Sequence, residues 1–155
     1  MIVLFDDQLI KEFTEWSRVN EEHFSWWSYV NMKADIQTAL GFAKFFSPAI
    51  VELEGCLFLK DQFSQRRFEG WKRSCNGDST CMEKMMNLYQ LRDFFHLNVQ
   101  NEDDQQDELL ITLGRVLEHF WSLKFKHQYP DREVIVEVFE EDDGELLITV
   151  FQKRD

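Results

Sequence analysis

The sequence predicts an α+β fold, with four to five helices packed on a small, mostly antiparallel sheet that includes a C-terminal β-hairpin. The hairpin carries the clearest signal: residues 133–140 and 145–152 are β-rich, and Asp143-Gly144 between them suits a tight turn. Helical periodicity in the preceding segments supplies the rest. With 155 residues and 44% apolar side chains, the chain is expected to form a single globular domain over residues 1–155.

Five segments have apolar residues at helical spacing. Asp6 or Asp7 is the expected N-cap of the first helix, and Asn31 is the expected N-cap of the second. Proline cannot continue a helix, so Pro48 is expected to end the second. The predicted helices cover approximately residues 7–19, 32–46, 61–73, 79–95 and 109–127.

Two further segments are candidates for strands. Residues 50–59 alternate between apolar and acidic side chains, which predicts one strand, and Gly55 within it marks a bulge or a close approach of another backbone. Residues 2–5 are apolar and could add a strand at the start of the chain. Together with the hairpin, these segments would complete the small sheet.

The chain is strongly acidic, and its charge is unevenly distributed. The net charge is −12; residues 101–155 carry −9, whereas residues 60–100 carry +2. Because nucleic acid affinity comes largely from neutralising phosphates, this balance disfavours nucleic acid as a partner, and it disfavours anionic membranes likewise. A basic protein is the expected partner, attracted at a rate that falls as salt screens the charges.

Carboxylates beside the predicted hairpin turn form the first candidate interaction surface. Its members are Glu137, Glu140, Glu141, Asp142 and Asp143. Like charges this close are tolerated when water screens them, so a solvated tip that blocks aggregation is the alternative interpretation. The spacing of a calcium-binding EF-hand loop is missing from this segment.

An aromatic run supplies the second candidate surface. Phe24, Trp26, Trp27 and Tyr29 place four rings within six residues, without a clear period. Such side chains fill cores when buried and anchor interfaces when exposed. Trp26, Trp27 and Tyr29 are therefore predicted either to pack inside the domain or to contact a partner.

The three cysteines, Cys56, Cys75 and Cys81, are sparse and odd in number. This pattern favours ordinary thiols in a reducing compartment over a disulfide framework. A Cys75–Cys81 disulfide and a zinc site completed by His96 are the alternatives. The apolar stretch at residues 2–5 is short and lacks a preceding basic segment, so neither a signal peptide nor a spanning helix is expected, and the predicted location is cytoplasmic.

Recognisable catalytic motifs are missing from the sequence. It contains no Gly-rich phosphate loop, no Gly-x-Ser-x-Gly elbow and no His-Glu-x-x-His pair, so no cofactor or metal is predicted. An enzyme is less expected than a binding protein. A basic group is interpreted as a solvated helix face, with a phosphate or another subunit's acidic end as alternative contacts; its members are Arg66, Arg67, Lys72 and Arg73.

These observations favour a small acidic interaction module, such as an inhibitor or immunity-type protein, for a basic partner. The alternative is a small-molecule enzyme or binding protein with an aromatic-lined pocket, in which His23 or His96 would converge with a carboxylate. A third hypothesis is homo-oligomerisation, in which the positively charged middle of one subunit meets the acidic end of another.

Overall fold

The computed structural model describes residues 3–98 and 105–155, and within these ranges it contains six α-helices and two small antiparallel sheets. The predicted α+β class and the C-terminal hairpin are confirmed. Backbone contacts divide the chain into two compact units, residues 1–45 and residues 46–155. The expectation of one domain over the whole chain stays a prediction.

Three helices start in the first unit: α1 (Lys11–Val19), α2 (Trp26–Lys33) and α3 (Ile36–Phe46). Asp6 caps a short 3-10 turn that precedes α1 rather than α1 itself. The Asn31 cap is wrong, because Asn31 lies inside α2, which begins at Trp26 after a capping box formed by Ser25 and Ser28. Asp35 Oδ1 instead accepts the hydrogen bond from Thr38 N at 2.8 Å and so begins α3.

The first sheet is a hairpin of β1 (Ile50–Leu53) and β2 (Cys56–Leu59). The single predicted strand over residues 50–59 is wrong, because Glu54 and Gly55 form a two-residue turn. Their φ angles of +50° and +77° are the positive pair that a type I′ turn requires. Residues 3–5 belong to no strand, and the rest of the segment proposed at 2–5 lies outside the described residues.

The second sheet has the order β3-β5-β4, with β3 (Tyr89–Gln90), β4 (Val134–Glu140) and β5 (Leu146–Gln152). All its pairs are antiparallel, and β5, the most buried strand of this sheet, lies at its centre. Gly144 has a φ of +84°, so the Asp143-Gly144 signal correctly marked the turn. The hairpin loop is nevertheless longer than a two-residue turn, since it runs over residues 141–145.

The helices of the second unit are α4 (Gln65–Ser74), α5 (Ser79–Met86) and α6 (Gln105–Gln128). α6 covers the helix predicted at residues 109–127, and its buried residues recur at helical spacing; they include Leu110, Leu117 and Phe125. A Cβ at Gly114 would lie 2.8 Å from Leu91 Cδ1 and 3.1 Å from Val138 Cγ1, so glycine permits close packing of α6. Within the described ranges, no helix is long and apolar enough to span a bilayer.

The predicted helix over residues 79–95 is wrong, because it ends at Met86. Asn87 follows, and its side chain turns into the core: Oδ1 accepts from Leu59 N at 2.8 Å, and Nδ2 donates to Leu57 O and to Val150 O at 2.9 Å each. These bonds satisfy backbone groups of β2 and β5, which belong to different sheets. Asn87 therefore ends the helix and joins the two sheets.

Glu83 lies one helical turn before Asn87 and joins the same two strands. It is fully buried, and its carboxylate accepts from Leu57 N and Gln152 N at 2.8 Å each. Arg154 supplies the counter-charge as a fork, with Nη1 at 2.7 Å from Oε2 and Nη2 at 3.0 Å from Oε1. The carboxylate holds the end of β5 against β2, and its hydrogen bonds raise the pKa of Arg154.

Candidate functional site

The acidic tip is defined as the four consecutive residues Glu140, Glu141, Asp142 and Asp143. All four are exposed. The backbone of the loop is held by hydrogen bonds from Glu141 N to Glu145 O and from Gly144 N to Glu141 O, each 2.9 Å. Asp143 Oδ1 also accepts from Glu145 N at 3.0 Å, so the turn presents the carboxylates from a defined backbone.

Glu137 is also exposed but does not share the tip. It lies three residues before Glu140 on β4, and because side chains alternate along a strand, the two point to opposite faces of the sheet. Among the described residues, no lysine or arginine lies within 4.0 Å of a carboxylate oxygen of Glu137 or of the acidic tip. Within the described ranges, these carboxylates are therefore left without ion pairs.

A cleft of about 200 Å³ opens beside the acidic tip. Arg92 crosses it, with its guanidinium 3.5 Å from Asp107 and 3.8 Å from Glu145. These two ion pairs are at the long end of the range and are at least partly exposed, so each contributes little stability. The rest of the lining combines apolar side chains with tip residues; it comprises Leu110, Ile111, Glu140, Gly144 and Leu146.

The aromatic run divides between packing and exposure. Trp26 stacks on the buried ring of Phe13, with centroids 3.7 Å apart and planes 4° from parallel, and Tyr29 packs edge-on against both rings. Trp27, by contrast, is 79% exposed. Trp26 and Tyr29 are thus half-buried and packed within the first unit, whereas Trp27 lies on the surface.

Trp27 lines an open groove of about 670 Å³ in the first unit, together with Val30, Ala34 and Ile36. This groove is mostly apolar and contains one carboxylate in its lining, that of Asp35. No histidine is part of the lining. The histidine and carboxylate that the enzyme hypothesis required do not converge in this groove.

His23 and His96, the two histidines of the enzyme hypothesis, each have one polar contact described below. His23 is 91% exposed, and its nearest ion-pair partner is the exposed Glu22 at 4.0 Å. His96 Nδ1 lies 2.7 Å from the backbone oxygen of Asp93. In the part of the chain that the structure describes, no three His, Cys, Asp or Glu residues are grouped closely enough to hold a metal ion.

The expectation of three ordinary thiols is wrong, because Cys75 and Cys81 form a disulfide. Cys75 ends α4, Cys81 lies in the first turn of α5, and Asn76-Gly77 between them turns the chain back with positive φ at both residues. Cys56 keeps a free thiol, and burial raises its pKa. All three side chains pack in one core cluster, which makes them structural residues.

Sequence reasoning did not identify the buried polar residues Glu83 and Asn87, nor Arg154, which pairs with Glu83. The available signal was the spacing of Glu83 and Asn87, four residues apart among the methionines of α5. A buried carboxylate beside an arginine can mark an active site. Here the two oxygens of Glu83 accept from Leu57, Gln152 and Arg154, so the group is committed to structure.

Tyr29 provides a test of how the first unit is held together. Its hydroxyl donates to Glu12 Oε2 at 3.1 Å, and Lys33 Nζ lies 2.9 Å from the same oxygen. Burial raises the pKa of Tyr29 to about 12 from its ordinary value of 10.0, and Glu12 adds to the shift through the hydrogen bond and its charge. The fold therefore favours the neutral phenol.

We expect the stability contributed by neutral Tyr29 to be complete below pH 10 and to be lost as the pH rises through 12. The tyrosinate absorbance of the wild-type protein minus that of Tyr29→Phe should therefore titrate near pH 12, and Tyr29→Phe should lose less stability over that interval. A difference titration centred near pH 10 would contradict the burial of the Tyr29 hydroxyl and its hydrogen bond to Glu12.

Comparison with protein-family models, with curated proteins and with solved structures finds no match for this chain.

Proposed function

We propose that the protein is an acidic interaction module that binds a basic protein through the tip of its C-terminal hairpin, in the manner of an inhibitor or immunity-type protein. One observation carries the proposal: the carboxylates of the acidic tip are exposed and lack ion pairs with any lysine or arginine of the described residues. Elsewhere in the second unit, arginines such as Arg132 and Arg154 are paired with carboxylates.

The charge of the tip suits a basic protein partner. Four adjacent carboxylates attract a basic surface over roughly 8 Å at physiological salt, which speeds encounter and orients the partner. Exposed ion pairs contribute only about 0.2–1 kcal/mol each, so charge alone gives a weak complex. Additional binding must come from apolar contact.

The cleft beside the tip can supply that apolar contact. Leu110, Ile111 and Leu146 line it, next to Glu140 and Glu145. A lysine or arginine of the partner would place its aliphatic stem against these apolar residues and its charged end near Glu140, while Glu145 stays paired with Arg92. The proposed partner therefore presents a basic loop with at least one side chain long enough to enter the cleft.

The proposal includes a cytoplasmic location, which rests on the small and odd number of cysteines. The Cys75–Cys81 disulfide is the observation against it, since the cytoplasm keeps such pairs reduced. Trapping free thiols in protein taken from its native cell distinguishes the two locations. Three reactive cysteines after unfolding support the cytoplasm, and one supports an oxidising compartment.

Affinity capture with matched charge variants tests the proposed interaction. The tip variant carries Glu140→Gln, Glu141→Gln, Asp142→Asn and Asp143→Asn. The control variant neutralises four exposed carboxylates of the second unit elsewhere, through Asp61→Asn, Glu69→Gln, Asp131→Asn and Asp155→Asn. We expect the wild type and the control to retain one basic protein from the native cell extract, and the tip variant to lose it. Retention by all three, or by none, would overturn the proposal.

A further inference from the structure

A groove of about 420 Å³ runs along α4 and is lined by arginines. Its residues form two neighbouring rows on the helix, because residues three and four apart share a face. Arg66, Gly70 and Arg73 make one row, and Arg67, Trp71 and Ser74 make the other. This arginine groove carries three positive charges and no carboxylate in its lining, on a protein whose net charge is −12.

Gly70 lines the groove between Arg66 and Arg73. Its φ is not positive, and a Cβ built there would meet no atom within 4 Å, so neither backbone conformation nor close packing requires glycine. Glycine in a helix interior is less stable than alanine, so the residue costs the helix stability without a packing reason. Its visible effect is to leave an open shelf between Arg66 and Arg73.

The arginines of the groove differ in whether their guanidinium groups already bond other residues. The guanidinium of Arg67 is held by the backbone oxygen of Gln62 and by its Oε1, at 2.6 Å from the latter. Arg66 and Arg73 make no ion pair within 4.0 Å with a carboxylate of the described residues. Their neighbour Glu69 accepts a hydrogen bond from Gln65 at 3.2 Å.

The spacing of Arg66 and Arg73, neither of which makes an ion pair among the described residues, indicates the size of the ligand. Arg66 and Arg73 are seven residues apart, which separates their Cα atoms by about 10 Å along the helix axis. One phosphate or carboxylate can be held by a single guanidinium fork. A row of arginines over this length, with Arg67 already oriented beside it, suits a ligand that carries several anionic groups in sequence.

The charge of the whole protein indicates that the ligand is small. A long acidic protein or a nucleic acid would extend beyond the three arginines, where the net charge of −12 on the whole protein disfavours it. A short polyphosphate chain keeps all its charge within roughly one Debye length, about 8 Å, of the three arginines. We propose that the arginine groove binds a small polyphosphate anion across the shelf at Gly70.

Isothermal titration calorimetry tests this site with tripolyphosphate as the probe and orthophosphate as the short comparison. Wild-type protein is expected to bind tripolyphosphate at least about tenfold more tightly than orthophosphate, because only the longer anion reaches both Arg66 and Arg73. The double variant Arg66→Gln/Arg73→Gln should weaken tripolyphosphate binding at least about tenfold. Absence of saturable binding by the wild type would overturn the proposal.

Two further variants separate the groove from net charge. Gly70→Leu keeps every arginine but fills the shelf, and it should weaken tripolyphosphate binding about fivefold or more while leaving the helix folded. Arg115→Gln/Lys126→Gln removes two exposed charges of α6 instead and should change the affinity less than about twofold. Unchanged binding by Gly70→Leu, or an equal loss in the α6 variant, would overturn the proposed site.

A third probe distinguishes the sources of a polyphosphate. If adenosine triphosphate and tripolyphosphate bind with equal affinity, the phosphate chain alone is recognised. If the nucleotide binds more tightly, the base adds contacts, for which Trp71 in the lining offers an aromatic ring. The site is separate from the acidic tip and its test uses no protein partner, so its failure would leave the proposed function intact.

Discussion

Replacing Asn87 with leucine is expected to lower the free energy of unfolding by about 4 kcal/mol. The side chain is fully buried and bonds Leu57 O, Leu59 N and Val150 O. Leucine has a similar volume but leaves these three backbone groups without partners, and each unsatisfied buried group costs about 1–3 kcal/mol. Urea unfolding of the two proteins measures the difference.

Asn87→Asp separates hydrogen bonding from shape. It keeps the size of the side chain, but it places a carboxylate oxygen where Nδ2 now donates to two carbonyl oxygens, so we expect it to be at least as destabilising as leucine. The control is Gln65→Leu at an exposed position of α4, with an expected change within about 0.5 kcal/mol. A loss below about 1 kcal/mol in both Asn87 variants would show that Asn87 does not join the sheets.

Arg154→Met is expected to lower the free energy of unfolding by about 2–3 kcal/mol. It would leave the carboxylate of Glu83, which is fully buried, with backbone and amide donors but no counter-charge. The Arg154 side chain is 32% exposed, and solvent screening keeps the expected loss below that of a wholly buried pair. Equilibrium unfolding in urea measures the change.

The chain offers a matched control at the adjacent position. Lys153 also pairs with a carboxylate, Glu133 at 3.1 Å, but both side chains are more than half exposed. Lys153→Met should therefore cost less than about 1 kcal/mol. Arg154→Lys should recover part of the loss, because one ammonium replaces a fork that contacts both oxygens of Glu83. Equal effects of Lys153→Met and Arg154→Met would contradict the structural role of the buried pair.

The sequence was most informative where structure depends on local pattern. The regular apolar spacing of α6 and the Asp143-Gly144 turn of the hairpin are properties of neighbouring residues, and both were predicted. The end of α5 was not predicted, because apolar residues at helical spacing continue past Met86. What stops the helix is the bonding of Asn87 to strands 30 and 63 residues away, which no local pattern reports.

The candidate surfaces also divide into features that neighbouring residues determine and features that depend on the rest of the fold. Exposure of the acidic tip was predictable, because four like charges beside a turn are stable only in water. The different environments of Trp26 and Trp27 were not predictable without the true start of α2. Once Ser25 caps that helix, adjacent positions differ by 100°, so Trp26 can stack on Phe13 while Trp27 faces solvent.

The disulfide illustrates a further limit of the sequence. The spacing of Cys75 and Cys81 permitted either thiols or a bond between them. The choice depends on whether the intervening turn brings the two Cα atoms within bonding range, and here they are 5.8 Å apart. Positive φ at both Asn76 and Gly77 reverses the chain and allows this approach.

Titration of the captured basic protein into the wild type and the tip variant tests the central claim most directly, at about 50 mM and about 200 mM salt. We predict that the wild type binds at least about tenfold more weakly at the higher salt, and that the tip variant has lost at least about tenfold in affinity at the lower salt. Equal affinity of the two proteins, or wild-type binding that does not respond to salt, would contradict the claim that the acidic tip is the binding surface.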